Sequence, residues 1–296
     1  MANLKEIRVR IESIASTKQI TSAMKMVAAA KLKKAQDAIT QLRPYAEKMQ
    51  EILGSISGSL KDDEGNIYAQ GRDEEKILLV LITSNRGLCG AFNSNAIKAA
   101  IHAALETYSD QMMANQVHFI AAGKKGYEFL KKNGYNVIFN ASDIFDELNF
   151  ETSVKISQMI MDLYVAGDYD RIDVVYNQFK NAATQILTTE QFLPIKMDDF
   201  EGESNTSGEL VDYIFEPSKE YILEEMIPRS LKLQFYKALL DSFASEHGAR
   251  MTAMHKATDN ATEMLKDLAL EYNKARQAAI TNEIIEIVGG AEALKG

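Results

Sequence analysis

The first 56 residues carry apolar side chains with a helical period. Leu4, Ile7, Ile11 and Ile14 open the pattern in steps of three and four residues, and apolar positions continue it to Ile56. Residues spaced in this way lie on one face of an α-helix, and a sustained alternation of threes and fours is typical of a coiled-coil seam. We therefore predict an N-terminal coiled-coil helix over residues 1–56.

A second helical pattern occupies the other end of the chain, from Pro228 to about Val288. It covers roughly 60 residues, or about 90 Å at about 1.5 Å per residue, which is longer than a compact domain of this chain. We predict that residues 218–296 pair with residues 1–56 as an antiparallel coiled coil. Pro44 and Pro228 are expected to kink or restart their helices. The periodic positions of the second pattern are Met254, Ala257, Ala261, Met264, Leu268, Tyr272 and Ala275.

Between the two helical ends, short apolar runs alternate with amphipathic stretches. The run KILLVLIT at residues 76–83 is continuously apolar and has the length of a buried strand. Such alternation predicts a mainly parallel sheet with flanking helices, so residues 76–197 are interpreted as an inserted Rossmann-like domain in an α/β fold. Polar stretches at 57–75 and 198–217 connect it to the helices. The predicted strands are 76–83, 117–123, 136–140, 171–179 and 183–194, and the predicted helices are 91–108, 124–134 and 153–168.

The composition is that of an ordinary globular protein, with 46% apolar and 25% charged residues among 296. The only cysteine is Cys89, which excludes a disulfide framework and favours a reducing compartment. The N-terminus has no apolar signal-peptide core, and no run approaches the roughly 18 apolar residues of a membrane span. We expect a cytoplasmic protein, or one held at a membrane through another protein.

The net charge of -9 is unevenly distributed. Residues 1–50 contain ten Lys and Arg against four Asp and Glu, a balance of +6, so the remaining residues carry -15. A basic helix beside an acidic remainder suggests a nucleic acid or an acidic protein surface as partner, or only a solvated helix face. The positive residues are not interleaved with aromatic ones, as a stacking platform for nucleic acid needs.

The stretch TSNRGLCGAFNSN follows the first predicted strand, where doubly wound folds bind phosphates. It lacks both glycine-rich phosphate-binding patterns, so Gly87 and Gly90 indicate a tight turn. Cys89 has no partnering base in the pattern, which favours an inert or contact cysteine over a nucleophile. His247 and His255, about 12 Å apart along one helix, are interpreted as helix-surface residues and not as a zinc pair. We expect no catalytic residue, cofactor or metal in this chain.

The C-terminus is apolar, although chain ends are usually polar unless they pack against something. Ile280, Ile284, Ile287 and Val288 are spaced so that all four lie on one stripe of a helix. This stripe requires a partner.

Three stretches together resemble the γ subunit of F-type (F1Fo) ATP synthase. They are residues 15–36, residues 82–95, and a segment from 249 that runs on to the closing ITNEIIEIVGGAEA. The resemblance covers effectively the whole chain. It implies a non-catalytic central-stalk rotor that couples ion-driven rotation of a membrane ring to sequential conformational change at the β catalytic sites, and the reverse when ATP is hydrolysed.

The resemblance also implies partners and a location. The coiled coil would lie inside the hexamer of α and β subunits, and the inserted domain would lie near the ε subunit and the membrane c-ring. Neither nucleic acid nor direct lipid insertion is implied. The chain would be peripheral, at the cytoplasmic face of the bacterial inner membrane, and the apolar C-terminal stripe would pack in a bearing formed by the hexamer.

The site residues that the resemblance implies are carried over by position. Arg276, Gln277 and Thr281 match polar catch residues that bond to β loops, and Met24 falls at the shaft position opposite them, with coiled-coil packing as the alternative role for Met24. The full set is Arg276, Gln277, Thr281, Met24, Ile284 and Val288 for the bearing and catch, Arg86 and Cys89 for the β lever region, and Tyr213 and Glu216 for the foot that contacts the ring or ε.

Two other functions are open from the residues alone. The first is a nucleotide- or dinucleotide-dependent protein that uses the α/β domain, with the helices serving to dimerise it. The second is a plain coiled-coil scaffold, which has no use for the C-terminal motif.

Overall fold

The structure is a computed structural model that describes residues 4–57, 67–195 and 219–293. Long helices are found near both ends: α1 spans Leu4–Ser57 and α6 spans Lys219–Ala293. Both helices run through their prolines, so of the two outcomes expected at Pro44 and Pro228, a kink or a restart, the restart does not occur. Within the described residues, no helix combines the length and the apolar character needed to cross a membrane.

The sequence between these helices forms alternating strands and helices, as the change of period predicts. The predicted strand 171–179 matches its observed bounds, whereas the predicted helix 153–168 starts earlier because Asn149 caps it by accepting the Thr152 N–H at 2.8 Å. The elements are β1 (Ile77–Ile82), α2 (Phe92–His102), a π-helical turn (Ala103–Thr107), α3 (Ser109–Met113), β2 (Val117–Ala122), α4 (Lys124–Lys132), β3 (Val137–Asn140), a 3-10 turn (Ser142–Phe145), α5 (Phe150–Val165), β4 (Arg171–Phe179) and β5 (Gln185–Leu193).

The five strands form one sheet in the order β3-β2-β1-β4-β5. The first four are parallel and β5 is antiparallel to β4, so the predicted mainly parallel sheet is confirmed. Strand β1 is central and fully buried along its length. Its alternate side chains enter two different cores, Leu78 and Val80 on one face of the sheet and Leu79 and Leu81 on the other, as the period of two in a strand requires.

The two long helices contribute to one of these cores. Apolar side chains of α6 spaced by four residues pack on the same face of the sheet as α5 and the last turns of α1. The domain that appears as an insertion in the sequence therefore uses segments of both terminal helices to cover its sheet. The contributing helix residues are Met49, Leu53, Ile227, Leu231, Phe235 and Leu239.

The described part of the predicted linker 57–75 is bound to the sheet domain. Arg72 donates to the Tyr164 carbonyl at 2.9 Å, and the Tyr164 hydroxyl donates to the Gln70 carbonyl at 2.7 Å. Glu74 pairs with Arg171 at 2.7 Å. Residues 70–74 consequently follow a defined path along the domain.

The chain divides into two compact units, residues 30–249 and residues 1–29 with 250–296. In the second unit α1 and α6 pair in antiparallel fashion, because the Thr258 hydroxyl donates to the Thr21 hydroxyl at 2.9 Å and Lys25 Nζ lies 3.4 Å from His255 Nδ1. The predicted pairing is therefore observed here. Its buried apolar seam contains Ile7, Ala28, Met254, Ala261 and Leu268, whereas Met264 is exposed.

The interpretation of His247 as a helix-surface residue is wrong. Its side chain is buried, and its ring lies edge-on against Phe243 with 4.4 Å between the ring centroids. His255 is exposed as expected and lies 3.4 Å from Asp259. Spacing along a helix identifies which residues share a face, but it does not reveal which face another element covers.

Candidate partner-binding surfaces

The C-terminal part of α6 extends past the N-terminal end of α1. The contacts at Thr21 and Lys25 place Leu4 level with about residue 275, since both helices rise by about 1.5 Å per residue. Every described side chain from 276 to 292 is exposed. The exposed fractions of the apolar stripe are 49% for Ile280, 55% for Ile284, 66% for Ile287 and 56% for Val288.

The predicted catch residues lie on this same part of α6. Arg276 and Gln277 are exposed, and the Thr281 hydroxyl donates to the Gln277 carbonyl one turn earlier at 2.9 Å. Met24 is half-buried and lies level with about residue 255, roughly 30 Å from Arg276 along the helix. The structure therefore brings the three catch residues together with the apolar stripe, and it does not bring Met24 to them.

A second candidate surface is the loop between β1 and α2, which carries Arg86 and Cys89. Arg86 is exposed, but Cys89 is buried with 2% of its surface accessible. Cys89 Sγ accepts a hydrogen bond from Asn93 Nδ2 at 3.3 Å. A partner of this loop would contact Arg86 directly, while the Cys89 side chain holds the loop from inside.

The first backbone amides of α4 point out of the helix, as at any helix N-terminus, and need an acceptor. Asn85 Oδ1 accepts the Lys124 N–H at 3.0 Å, and Thr83 Oγ1 accepts the Gly126 N–H at 2.9 Å. These two amides are used within the protein. Side chains that follow the carboxyl end of β1 therefore cap the start of α4.

Sequence reasoning missed a buried charged cluster around Asp241 in the sheet-containing unit. Asp241 on α6 is 6% exposed. Burial raises the pKa of Asp241 to about 6, with Lys237 and Arg43 lowering that pKa and the Glu190 carboxylate raising it further. The Glu190 carboxylate itself accepts hydrogen bonds from the Tyr176 hydroxyl at 2.9 Å and from Gln234 at 2.6 Å.

A further missed cluster lies at the amino ends of the strands. The Tyr108 hydroxyl donates a hydrogen bond to the buried Asp173 carboxylate, which also accepts one from Arg171 Nε at 3.1 Å. Arg171 also forms an ion pair with Glu74, so the cluster connects the segment before β1 to strand β4. The sequence pattern does not predict this cluster, because its members are far apart in the chain. Glu74 and Arg171, for example, are separated by 97 residues.

Comparison with known proteins is decisive for the family. The family described as ATP synthase matches residues 3–294. The ATP synthase gamma chain of Flavobacterium psychrophilum is 62% identical over 296 residues, covering 100% of both chains. The chain belongs to the ATP synthase gamma chain family. As a gamma chain, it is a non-catalytic component of the central stalk.

Solved structures agree with this gamma chain assignment. A chain of the central stalk and c-ring of the Tetrahymena thermophila mitochondrial ATP synthase is 27% identical, with a TM-score of 0.59, covering 80% of this chain and 99% of that chain. A chain of the Euglena gracilis mitochondrial ATP synthase has a TM-score of 0.65 at 23% identity, covering 98% of this chain and 94% of that chain, and supports the fold.

The remaining predicted site of this gamma chain is the foot. Tyr213 and Glu216 lie outside the described residues. Among the residues that are described, no cluster of His, Cys, Asp or Glu has the arrangement of a metal site. The candidate surfaces among the described residues are the end of α6, the exposed basic residues of α1 and the loop between β1 and α2.

Proposed function

We propose that this chain is the rotor of a bacterial F-type ATP synthase. Its terminal helices lie inside the α and β hexamer, its sheet-containing unit contacts ε and the membrane c-ring, and ion-driven rotation carries the β sites through their conformations in sequence. It works at the cytoplasmic face of the inner membrane and is held there through the ring. The observation that carries the proposal is the exposed apolar stripe on the part of α6 that extends past α1.

This stripe fits a bearing made by other subunits. Contiguous exposed apolar surface on a protein usually marks an interaction site, and the side chains of Ile280, Ile284, Ile287 and Val288 are all about half exposed or more. Complete burial of such a side chain contributes about 1.5–3 kcal/mol. Apolar contacts have no preferred direction, so a sleeve around this helix stabilises it at every rotational angle.

The catch residues provide the directional contacts that a sleeve lacks. Arg276 presents a planar guanidinium that bonds carboxylates in a fixed geometry, and Gln277 adds a neutral donor and acceptor. A partner shifts an equilibrium only through different interactions with its states. Because the polar residues occupy only one part of α6, at any rotor angle they contact one β subunit differently from the other two. The three catalytic sites, although chemically identical, then have different conformational equilibria.

Positive charge on α1 and on the loop after β1 fits the acidic lever segments of β. Arg8 and Arg10 on α1 are exposed, and Arg8 lies 3.6 Å from Glu12. Arg86 is exposed in the other unit. Exposed charges of this kind contribute more to steering and orientation than to affinity, so their loss should slow rotation steps before it prevents assembly.

The test uses the assembled complex with Ile284→Asn and Val288→Asn combined in this chain. Because the proposed sleeve would bury both side chains, their replacement should weaken the bearing by about 3 kcal/mol or more, roughly a hundredfold in affinity. We expect ATP hydrolysis to continue while ATP-driven ion pumping falls. Asn282→Ser is the matched control, because Asn282 is exposed on the far side of the same helix. Unchanged pumping per ATP in the double variant contradicts the proposal.

A separate measurement addresses the nucleotide-binding alternative. Equilibrium dialysis of the purified chain against labelled ATP or NAD should give no uptake, because the loop after β1 has neither glycine-rich phosphate-binding pattern. Saturable uptake by the isolated chain supports the enzyme alternative and contradicts a role limited to rotation.

A further inference from the structure

The loop between β1 and α2 is closed by one side chain at its base. Asn93 Oδ1 accepts the Ser84 N–H at 2.9 Å, and Asn93 Nδ2 donates to Ser84 Oγ at 2.7 Å and to Cys89 Sγ at 3.3 Å. Ser84 Oγ in turn donates to the Arg86 carbonyl at 2.6 Å. Asn93 thereby joins the end of β1, the middle of the loop and the first turn of α2.

The backbone of this loop needs such a constraint. Leu88 has φ of 63° and Gly90 has φ of 61°, so two of three successive residues adopt the left-handed conformation. A leucine disfavours this conformation, and such strain persists only where the surroundings impose it. The Leu88 side chain is 64% exposed, so the loop is held from the Asn93 side and not by burial of Leu88.

We propose that Asn93 is a positioning residue, which presets residues 84–91 so that Arg86 meets the β lever segment in one orientation. This inference rests on the proposed function for its partner. Asparagine suits the role because its amide combines an acceptor for the Ser84 N–H with donors for Ser84 Oγ and Cys89 Sγ. An aspartate at this position retains the acceptor and loses both donors.

Asn85 supports the same loop from its other side. Its Nδ2 donates to the Ser142 carbonyl at 2.9 Å and its Oδ1 accepts the Lys124 N–H at 3.0 Å, which ties the residue before Arg86 to the loops after β2 and β3. The hydrogen bonds of Asn93 and Asn85 therefore hold the backbone on the N-terminal side of Arg86 in place. The loop is thus ordered before any partner binds, and binding avoids an ordering cost.

The chain contains a built-in reporter of this geometry, because Cys89 is its only cysteine and is 2% exposed. A thiol reagent such as 5,5′-dithiobis(2-nitrobenzoate) reacts with Cys89 in the native chain only when the loop opens. Asn93→Ala and Asn93→Asp should each increase the reaction rate by about tenfold or more. Asn95→Ala is the matched control, since Asn95 is exposed on the same helix, and should leave the rate unchanged.

The second readout is turnover of the assembled complex, which separates positioning from general stability. Asn93→Ala should leave assembly intact and slow ATP-driven rotation by the same factor as Arg86→Ala. The double variant Asn93→Ala with Arg86→Ala should be no slower than Arg86→Ala alone, because residues that act through one contact are not additive. Full additivity overturns the inference.

The outcomes distinguish the two proposals. If Arg86→Ala does not change rotation, the proposed contact of this loop with β fails, while the Cys89 reaction rate still decides whether Asn93 presets the loop. If Arg86→Ala slows rotation and Asn93→Ala and Asn93→Asp leave both readouts unchanged, the positioning inference fails. Should the alanine variant not fold, the aspartate variant carries the test, because it keeps the Ser84 N–H bond.

Discussion

Replacement of Asp241 by asparagine should remove a pH dependence from the stability of the sheet-containing unit. Asp241 is 6% exposed on α6, and burial raises its pKa to about 6 from an ordinary value of 3.8. Lys237 and Arg43 lower that pKa, and the Glu190 carboxylate raises it. The desolvation cost of the charged form exceeds the attraction of the two cations, so the folded state holds the Asp241 proton more tightly than the unfolded state does.

The sign and size of the effect follow from this pKa difference. A carboxyl whose pKa is raised by folding contributes stability that is fully present below the unfolded pKa and is lost as the pH rises through the folded pKa. The difference of about 2 pKa units corresponds to about 3 kcal/mol in the free energy of unfolding. About 1.4 kcal/mol of this appears between pH 7.5 and pH 5.

The assay is urea unfolding of the purified chain at several pH values, followed by the circular dichroism of its tyrosines. The chain contains 12 tyrosines and no tryptophan, and Tyr176, whose hydroxyl bonds to Glu190, lies in the affected cluster. The wild-type chain should gain stability relative to Asp241→Asn as the pH falls from 7.5 to 5. The quantity to compare is the change in this difference with pH, which reports the contribution of the replaced carboxyl.

Asp146→Asn is the matched control, because Asp146 is an exposed carboxyl in the same unit. Its unfolding free energy relative to wild type should not vary with pH over this range. A constant difference between Asp241→Asn and wild type at pH 7.5 and pH 5 refutes the reasoning, since it means that burial does not penalise the Asp241 carboxylate. A difference of opposite sign means that Lys237 and Arg43 outweigh desolvation.

Two further changes test the packing around the loop and the sheet. Gly123→Ala should lower the unfolding free energy by about 3 kcal/mol or more, because Gly123 has φ of 127° and an added Cβ would lie 2.1 Å from the Thr83 carbonyl oxygen. The control in the same urea titration is Gly71→Ala, whose added Cβ would have nothing within 4 Å, and equal effects of the two substitutions contradict the steric argument. Tyr108→Phe should lower the free energy of unfolding by about 1–3 kcal/mol in that titration, because the buried Asp173 carboxylate loses a hydrogen-bond donor. A loss below about 0.5 kcal/mol indicates that the bond from Arg171 is enough for Asp173.

The local pattern of the chain predicts most of the secondary structure, because strand and helix periods are properties of neighbouring residues. The apolar run at 77–82 and the stretch RIDVVYNQF at 171–179 identify two neighbouring strands of the sheet without any knowledge of their pairing. Helix α5 begins earlier than its apolar pattern because Asn149 caps it. Of the kink or restart expected at Pro44, the restart does not occur, since α1 is continuous through this residue.

The apolar stripe at the end of α6 was also available from the sequence, whereas the catch role of Arg276, Gln277 and Thr281 stays a prediction. Ile280, Ile284 and Val288 lie on one stripe in any helix, whatever surrounds it. The structure adds that this stripe extends past α1, and it separates Met24 from Arg276 by roughly 30 Å along the helix. Tyr213 and Glu216 remain predictions.

By itself, then, the sequence determined where helices and strands occur, which helix faces are apolar and to which family the chain belongs. Only the tertiary structure decided that β5 runs antiparallel at the edge of the sheet, that both long helices cover one of its faces, and that His247, Cys89 and Asp241 are buried. The physical reason is that periodicity is a short-range property. Burial and the pKa shift of Asp241 arise from elements that are distant in the chain, such as Arg43, Glu190 and Lys237, and these meet only when it folds.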